Sequence, residues 1–401
     1  MNIQTETYTG VVEKIVHGGW GLVRSPDGVV FLNYVMPGER VVYSIRERAR
    51  GILWGQVHEI ESPSPHRVQP PCEYFGVCGG CVFQHIPYPM QLDIKRDILM
   101  GDLERIGKLE RRDIPVLGSE PFGYRARAKL KSDPQTGGHL GFVRKGTHHI
   151  MPIDRCLLLP DPLNSFLERW NRLDDPPVFF QMDAMWNHTE ERVIVHVTPA
   201  PDEQALRVLE TFPDVHFTWK GEASGGVSRI VAGDFEYRVS PAAFFQVNAF
   251  QWSPMLELVD EFCRECGTAI DLYSGVGFFL PVLTKYARRV IGVESSKVAS
   301  QLAAFSFSGV RFFNLPVEKY QFPKADLLLC DPPRAGLSKL VMKQILEREY
   351  PRMIYISCNS ATFSRDVNVL RQEGYELADL RLLDLFPQTT HVEVVSLLVR
   401  R

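Results

Sequence analysis

No stretch of this sequence approaches about 18 consecutive apolar residues, the length at which a helix becomes a candidate to cross a bilayer, so no membrane-spanning role is expected. The opening MNIQTETYTG has neither a basic start nor an apolar stretch, which gives no sign of a secretory signal and makes a cytoplasmic protein the expectation. An excess of basic charge is also missing. With a formal net charge of −3 the chain is not a globally basic nucleic-acid binder, and any such contact has to come from local patches. Internal repeats and low-complexity tracts are absent, which argues against solenoids and disordered tails. Cysteine is sparse, with eight residues, and in a reducing compartment clustered thiols serve metal binding or chemistry more often than disulfides.

What is present is the composition of a globular protein, 45% apolar and 23% charged over 401 residues, enough for two or three domains. Residues 8–60 read as short alternating strands (TGVVEKIV, GLVRS, GVVFLNYV, ERVVYSIRE, GILWGQVHEI) broken by glycine turns, the pattern of a small oligonucleotide-binding (OB)-like β-barrel. Pro63, Pro65, Pro70 and Pro71 mark a linker, because each removes a ladder donor and resists helix. The segment IPYPMQLDIKRDILMGDLERIGK predicts a long amphipathic helix over 86–110, and strands resume from 122. Beyond about 250, apolar strand-like runs (TAIDLY, RVIGVE, ADLLLC, MIYIS, EVVSLLVR) alternate with helical segments, as in a doubly wound α/β domain. The expected architecture is a multidomain α/β protein. It comprises an OB-like barrel over 1–61, a central β-rich domain over 62–240 and a Rossmann-like domain over 241–401, with the helix around 89–117 a candidate to pack on the last of these.

In the C-terminal part, four strand tips carry polar chemistry. TAIDLY runs into Ser274–Gly277 through Tyr273, VIGVE ends in Glu294, ADLLLC delivers Asp331 into Pro332 and Pro333, and MIYIS delivers Cys358. Ligands of open α/β sheets bind outside the carboxyl ends of the strands, so these four residues are expected to border one crevice. Glycines let backbone approach a nucleoside, and an acid at the end of the second strand can accept from ribose hydroxyls. Upstream, Cys72, Cys78 and Cys81 form C-x5-C-x2-C, with Cys156 a plausible fourth ligand; four thiolates suit zinc or an iron–sulfur cluster equally well. The strand YRARAKLK places Arg125, Arg127, Lys129 and Lys131 on one face, either a phosphate-binding stripe or a solvated sheet face. Cys263 and Cys266 form a C-x-x-C on a predicted helix and are expected to be inert, as is Cys330 inside an apolar strand. Phe244 and Phe245 could stack on a base or simply pack in the core.

The motifs SCNSATFSRD (357–366), DPPRAG (331–336), FFQVN (244–248) and HVE (391–393), in this order, resemble those of the RNA uridine-C5 methyltransferase family. The likeness extends to the barrel, which looks like a TRAM domain, and to the cysteine cluster; Phe278 departs from the family's usual Asn or Thr. The resemblance implies an S-adenosyl-L-methionine (SAM)-dependent enzyme acting on RNA, with ribosomal RNA preferred to transfer RNA and a monomer expected. It implies Cys358 as nucleophile and Glu393 as base, with Gln246, Tyr273, Glu294 and Asp331 around the cofactor. It also selects a 4Fe-4S cluster for Cys72, Cys78, Cys81 and Cys156. The chemistry needs such a pair. Carbon 5 of uracil is a weak nucleophile until a thiolate adds at carbon 6, and a base must then remove the carbon 5 proton. An amine methyltransferase would also carry an Asp-Pro-Pro turn but needs no covalent cysteine; an iron–sulfur RNA-binding protein without activity needs neither Cys358 nor Glu393.

Overall fold

A computed structural model describes residues 6–49, 51–220 and 226–401. Six strands between Thr7 and Ser62 form a curled sheet around its own apolar core, in which Val23, Val30, Leu32 and Val41 are fully enclosed. The middle of the chain builds a four-stranded sheet from Arg127–Leu130, Gln181–Asn187, Arg192–Thr198 and Val215–Thr218. Helix Asp161–Asn171 covers it, burying Phe166, Leu167 and Trp170. Among the described residues no helix is long and apolar enough to cross a membrane.

The largest sheet has eight strands, in the order Arg311–Asn314, Ala287–Glu294, Cys266–Leu272, Leu327–Cys330, Arg352–Ser357, Glu393–Arg400, Tyr375–Leu383 and Val116–Leu117. The five strands from Arg311–Asn314 through Arg352–Ser357 run parallel, and Glu393–Arg400 is antiparallel to both its neighbours. The apolar runs follow from burial on both faces. Ile354 and Ile356 enter one core and Met353 and Tyr355 the other. After Cys266–Leu272 the chain builds outward on one side, then crosses to the other through Leu327–Cys330. The order reverses there, and that reversal opens a crevice at the carboxyl ends.

Two expectations change. The helix around 86–110 is Tyr88–Arg105, and it is not amphipathic in the ordinary sense, because it buries Gln91, Lys95 and Asp102 beside Leu99 and Leu103. It packs against helix Ser360–Gln372 and shares the core on that face of the eight-stranded sheet, and its polar residues hold the loop that enters the last strand. Lys95 Nζ lies 2.6 Å from Asp384 Oδ1 and donates to the Phe386 carbonyl, while Gln91 and Gln388 exchange hydrogen bonds of 2.9 and 3.0 Å. The C-x-x-C pair is not on one helix. The helix ends at Phe262, Cys263 caps it, and Cys266 starts the next strand.

Lys95 and Asp384 are both fully buried, so removing one charge leaves the other unpaired. Lys95→Met is therefore expected to destabilise the fold by about 3–5 kcal/mol. Replacing both residues by Met and Leu should recover most of that loss. Urea midpoints of the two variants check this, and equal midpoints for Lys95→Met and wild type would contradict it.

Candidate active site

Cys358 sits one residue beyond strand Arg352–Ser357, at the entry of helix Ser360–Gln372, whose cap Asn359 accepts from the Ala361 and Thr362 amides. Glu393 reaches the same place from the other direction. Its strand pairs antiparallel with Ser357 opposite Val394, so Glu393 starts where Cys358 ends. Asp331 closes the third side at the tip of Leu327–Cys330. Its turn is pinned from below by Asp366, which accepts from the Leu337 amide at 2.8 Å and from the Tyr355 hydroxyl at 2.7 Å.

The electrostatics follow from this crowding. Burial pushes the Asp331 carboxyl up to about 7. Glu393 is raised well above the usual carboxylate range, by burial first and by Asp331 second, with Arg334 opposing. Asp331 is close enough to raise Glu393, and both carboxyls favour the protonated form more than an ordinary carboxylate does. The start of a helix ordinarily favours a thiolate. Here burial and the two acids win, and the Cys358 thiol is pushed up to about 11, with Arg334 pulling it down. Alkylation of Cys358 by iodoacetamide in the free protein should accordingly be slow at neutral pH and rise about tenfold per pH unit toward the thiol's titration. Peptide mass spectrometry reads the rate; a plateau below about pH 8 would contradict the arrangement.

A further buried acid lies next in line. Asp271 is wholly enclosed, both carboxylate oxygens lack a hydrogen-bond partner, and burial together with Asp331 and Glu294 raises it well above its ordinary range. Ser274 Oγ beside it is also unpartnered. Tyr273 adopts a left-handed φ of 63°, a conformation costly for a bulky residue and concentrated at ligand sites. Its side chain lines a crevice of about 860 Å³ with Pro333, Met342 and Leu346. Glu294 ends its strand as expected and accepts from the Gly275 and Ser296 amides. Gln246 is buried, and its backbone carbonyl accepts from Trp252 Nε1 at 2.9 Å. Carboxyls thus run from Glu294 through Asp271 and Asp331 to Glu393, which adjoins the Cys358 thiol.

The other sequence candidates divide. Cys72, Cys78, Cys81 and Cys156 line one cavity of about 450 Å³ together with Arg125, Lys129 and Arg144. Among the described residues no three Cys, His, Asp or Glu side chains are set to hold a single metal ion. Arg127 departs from the expected phosphate stripe. It lies on the expected face, but its guanidinium is turned inward and donates to the Ala243 and Pro241 carbonyls, tying the central sheet to the residues that immediately precede FFQVN. Lys129 remains exposed, 3.9 Å from Asp183, Lys131 is half-buried, and Arg125 faces the thiols. Phe245 packs among Tyr237, Trp252 and Phe278, whereas Phe244 is exposed. Phe278, the residue at which the turn departs from the family, belongs to that core. Three residues of the site went unnoticed in the sequence. Arg334 and His391 sit inside quoted motifs yet drew no role; the Arg334 Nη2 lies 2.9 Å from His391 Nε2. His17 gave no signal at all.

The model of the tRNA (Uracil-5-)-methyltransferase family matches residues 306–401, which hold Asp331, Cys358 and Glu393. An RNA methyltransferase of Aquifex aeolicus, described as uncharacterized, is 30% identical over 96% of this chain and 97% of its own length. The chain belongs to the RNA (uracil-5-)-methyltransferase family. A second relative of these methyltransferases, the 23S rRNA (uracil(1939)-C(5))-methyltransferase RlmD of Marinomonas sp., is 29% identical over 97% of this chain and 94% of its own. Among solved structures, the tRNA (uracil-54, C5)-methyltransferase of Pyrococcus abyssi in complex with S-adenosyl-L-homocysteine matches with a TM-score of 0.75 and 26% identity. That match covers 98% of this chain and 100% of the other. For an RNA (uracil-5-)-methyltransferase, the strand tips and the start of the last strand are where its chemistry is to be sought.

Proposed function

We propose that this methyltransferase places a methyl group on carbon 5 of a uridine in structured RNA, 23S ribosomal RNA by preference, through a covalent bond from Cys358 to carbon 6. The observation that carries the reading is the meeting of Cys358, Glu393 and Asp331 at one end of the sheet, from three strands. In this reading the Cys358 sulfur adds to carbon 6, and its thiol proton leaves to the adjoining acids. Electrons released into the ring concentrate on carbon 5, which takes the methyl. Glu393 then removes the carbon 5 proton, the carbon–sulfur bond breaks, and the 5,6 double bond returns. A uridine stacked in a helix hides both faces, so it has to be turned out of the stack.

S-adenosyl-L-methionine would supply an electrophilic methyl on a sulfonium. The donor set fits it. The ligand is cationic and rich in donors, and Asp271 and Ser274 offer buried, unpartnered oxygens beside the acids Glu294 and Asp331, whose carboxyls a cation would favour in the charged form. Glu294 would take its ribose hydroxyls and Tyr273 and Gln246 would border it. Support for a SAM-type cofactor also comes from the Pyrococcus protein, whose structure holds S-adenosyl-L-homocysteine.

Cys72, Cys78, Cys81 and Cys156 would hold a 4Fe-4S cluster, which needs its ligand sulfurs farther apart than one metal ion does. A cluster with four thiolates is negatively charged, and Arg125 beside Cys78 and Cys156 complements it. Its part would be structural, tying residues 72–156 together; iron analysis of anaerobically purified protein tests it.

Ribosomal RNA is favoured by the Marinomonas relative and transfer RNA by the Pyrococcus structure. Incubating the protein with each RNA and methyl-labelled SAM, followed by nucleoside analysis, tests the proposal. The result expected is 5-methyluridine in ribosomal RNA. Label only in transfer RNA would move the substrate, and label in neither would overturn the activity.

A further inference from the structure

The cavity at Cys358 is walled from an unexpected direction. It has about 240 Å³ and is lined by Arg334, Cys358, Asn359, Thr390 and His391 from the C-terminal part, together with His17 and Gly18. These last two belong to the tight turn of a hairpin, between strands Lys14–Val16 and Trp20–Ser25 of the N-terminal sheet. Gly18 and Gly19 have φ of 82° and 78°, which lets the turn reverse within three residues. A side chain at Gly19 would collide with Thr390, so the turn lies directly against the loop that leads into Glu393.

His17 faces a buried acid there. Its Nδ1 lies 3.6 Å from Asp102 Oδ2, and the same oxygen accepts from the Ser360 hydroxyl at 2.6 Å. Asp102 is buried on helix Tyr88–Arg105, and Ser360 is two residues from Cys358. A carboxylate facing Nδ1 favours the proton on that nitrogen and leaves Nε2 for another partner. The imidazole itself stays about half exposed, with its side chain at 53%.

We propose that His17 is a positioning residue of the methyl-transfer site, contacting the uridine nucleotide inserted beside Cys358, so that the N-terminal sheet completes the catalytic pocket. The inference rests on the uridine reading above. The ligand class is a pyrimidine nucleotide turned out of its RNA, and Asp102 and Ser360 link the ring that receives it to the turn that carries the nucleophile. Since His17 is half exposed and Asp102 retains Ser360 and Arg105, substitution should leave folding intact.

The test uses the full chain with His17→Ala and His17→Gln. Single-turnover methyl transfer to RNA is expected to fall about 10- to 100-fold for Ala, as for a misplaced substrate, with part of the loss regained by Gln. RNA affinity by filter binding should stay within about twofold, because one contact among many phosphate contacts is altered. An unchanged transfer rate would overturn the proposal, and so would weakened RNA affinity at an unchanged rate, which would make His17 a general RNA contact. Alkylation of Cys358 without RNA forms a separate arm. His17→Ala should speed it and His17→Trp should slow it. If the wild type methylates no RNA, the uridine reading fails on its own, and the alkylation arm still decides: unchanged rates in both variants would overturn the placement of His17 at the pocket.

Discussion

Cys358→Ala is expected to lower methyl transfer to RNA by about 10⁴-fold or more, the order of loss seen when a covalent nucleophile is removed. The size of the effect follows from the chemistry. Without an adduct at carbon 6 no electron density is released to carbon 5, and neither the acids nor a bound methyl donor can substitute for it. Among the described cysteines, Cys330 is the nearest along the adjoining strand, but it is wholly buried and its thiol is raised well above its ordinary value by burial and by Asp331. It offers no rescue. Cofactor binding should persist in Cys358→Ala, because Asp271, Ser274 and Glu294 are untouched, and calorimetric titration with SAM separates a lost nucleophile from a lost fold.

Glu393→Gln is expected to act on the other half of the reaction. Turnover should fall by about 10²- to 10⁴-fold, the range for a removed general base, while the covalent protein–RNA species accumulates. Two effects point the same way. Without a base the proton on carbon 5 stays, and the carbon–sulfur bond cannot break by elimination. Removing the carboxyl also relieves the charge that raises the Cys358 thiol, so formation of the adduct is favoured. Denaturing gels with labelled RNA read the outcome directly. A retarded band in Glu393→Gln that needs Cys358 fits; free RNA with slow turnover would remove Glu393 from the role of base.

Much of the catalytic domain was legible because its strands are buried on both faces and therefore read as unbroken apolar runs ending in polar residues. Asp331 and Cys358 could be found that way, since position at a strand's end is a local property. Glu393 could not. As a residue opening an apolar strand it looks structural, and only the antiparallel register of Ser357 with Val394 brings it to the thiol, so the family resemblance had to supply it. Strand Val116–Leu117 is two residues long and gives no periodicity, yet it extends the sheet from a distant part of the chain. Helix Tyr88–Arg105 was visible as a helix, but its buried Lys95 and Gln91 make sense only against Asp384 and Gln388, far along the sequence. Arg127 misled for a related reason. Alternation gave its face correctly, while the inward turn of its guanidinium depends on two carbonyls from another segment. His17 was silent because a histidine before two glycines describes a turn, and what that turn touches is a tertiary fact.

The most direct test of the covalent account uses RNA carrying 5-fluorouridine in place of uridine. After addition of the thiol and transfer of the methyl, carbon 5 would bear fluorine where Glu393 needs a proton, and the adduct could not be released. The account predicts an SDS-stable complex of protein and RNA that forms only with SAM present, retains the transferred methyl, and maps to Cys358 by peptide mass spectrometry. Efficient methylation of ordinary uridine RNA with no trapped species on the fluorinated one, or a complex mapped to another cysteine, would contradict it.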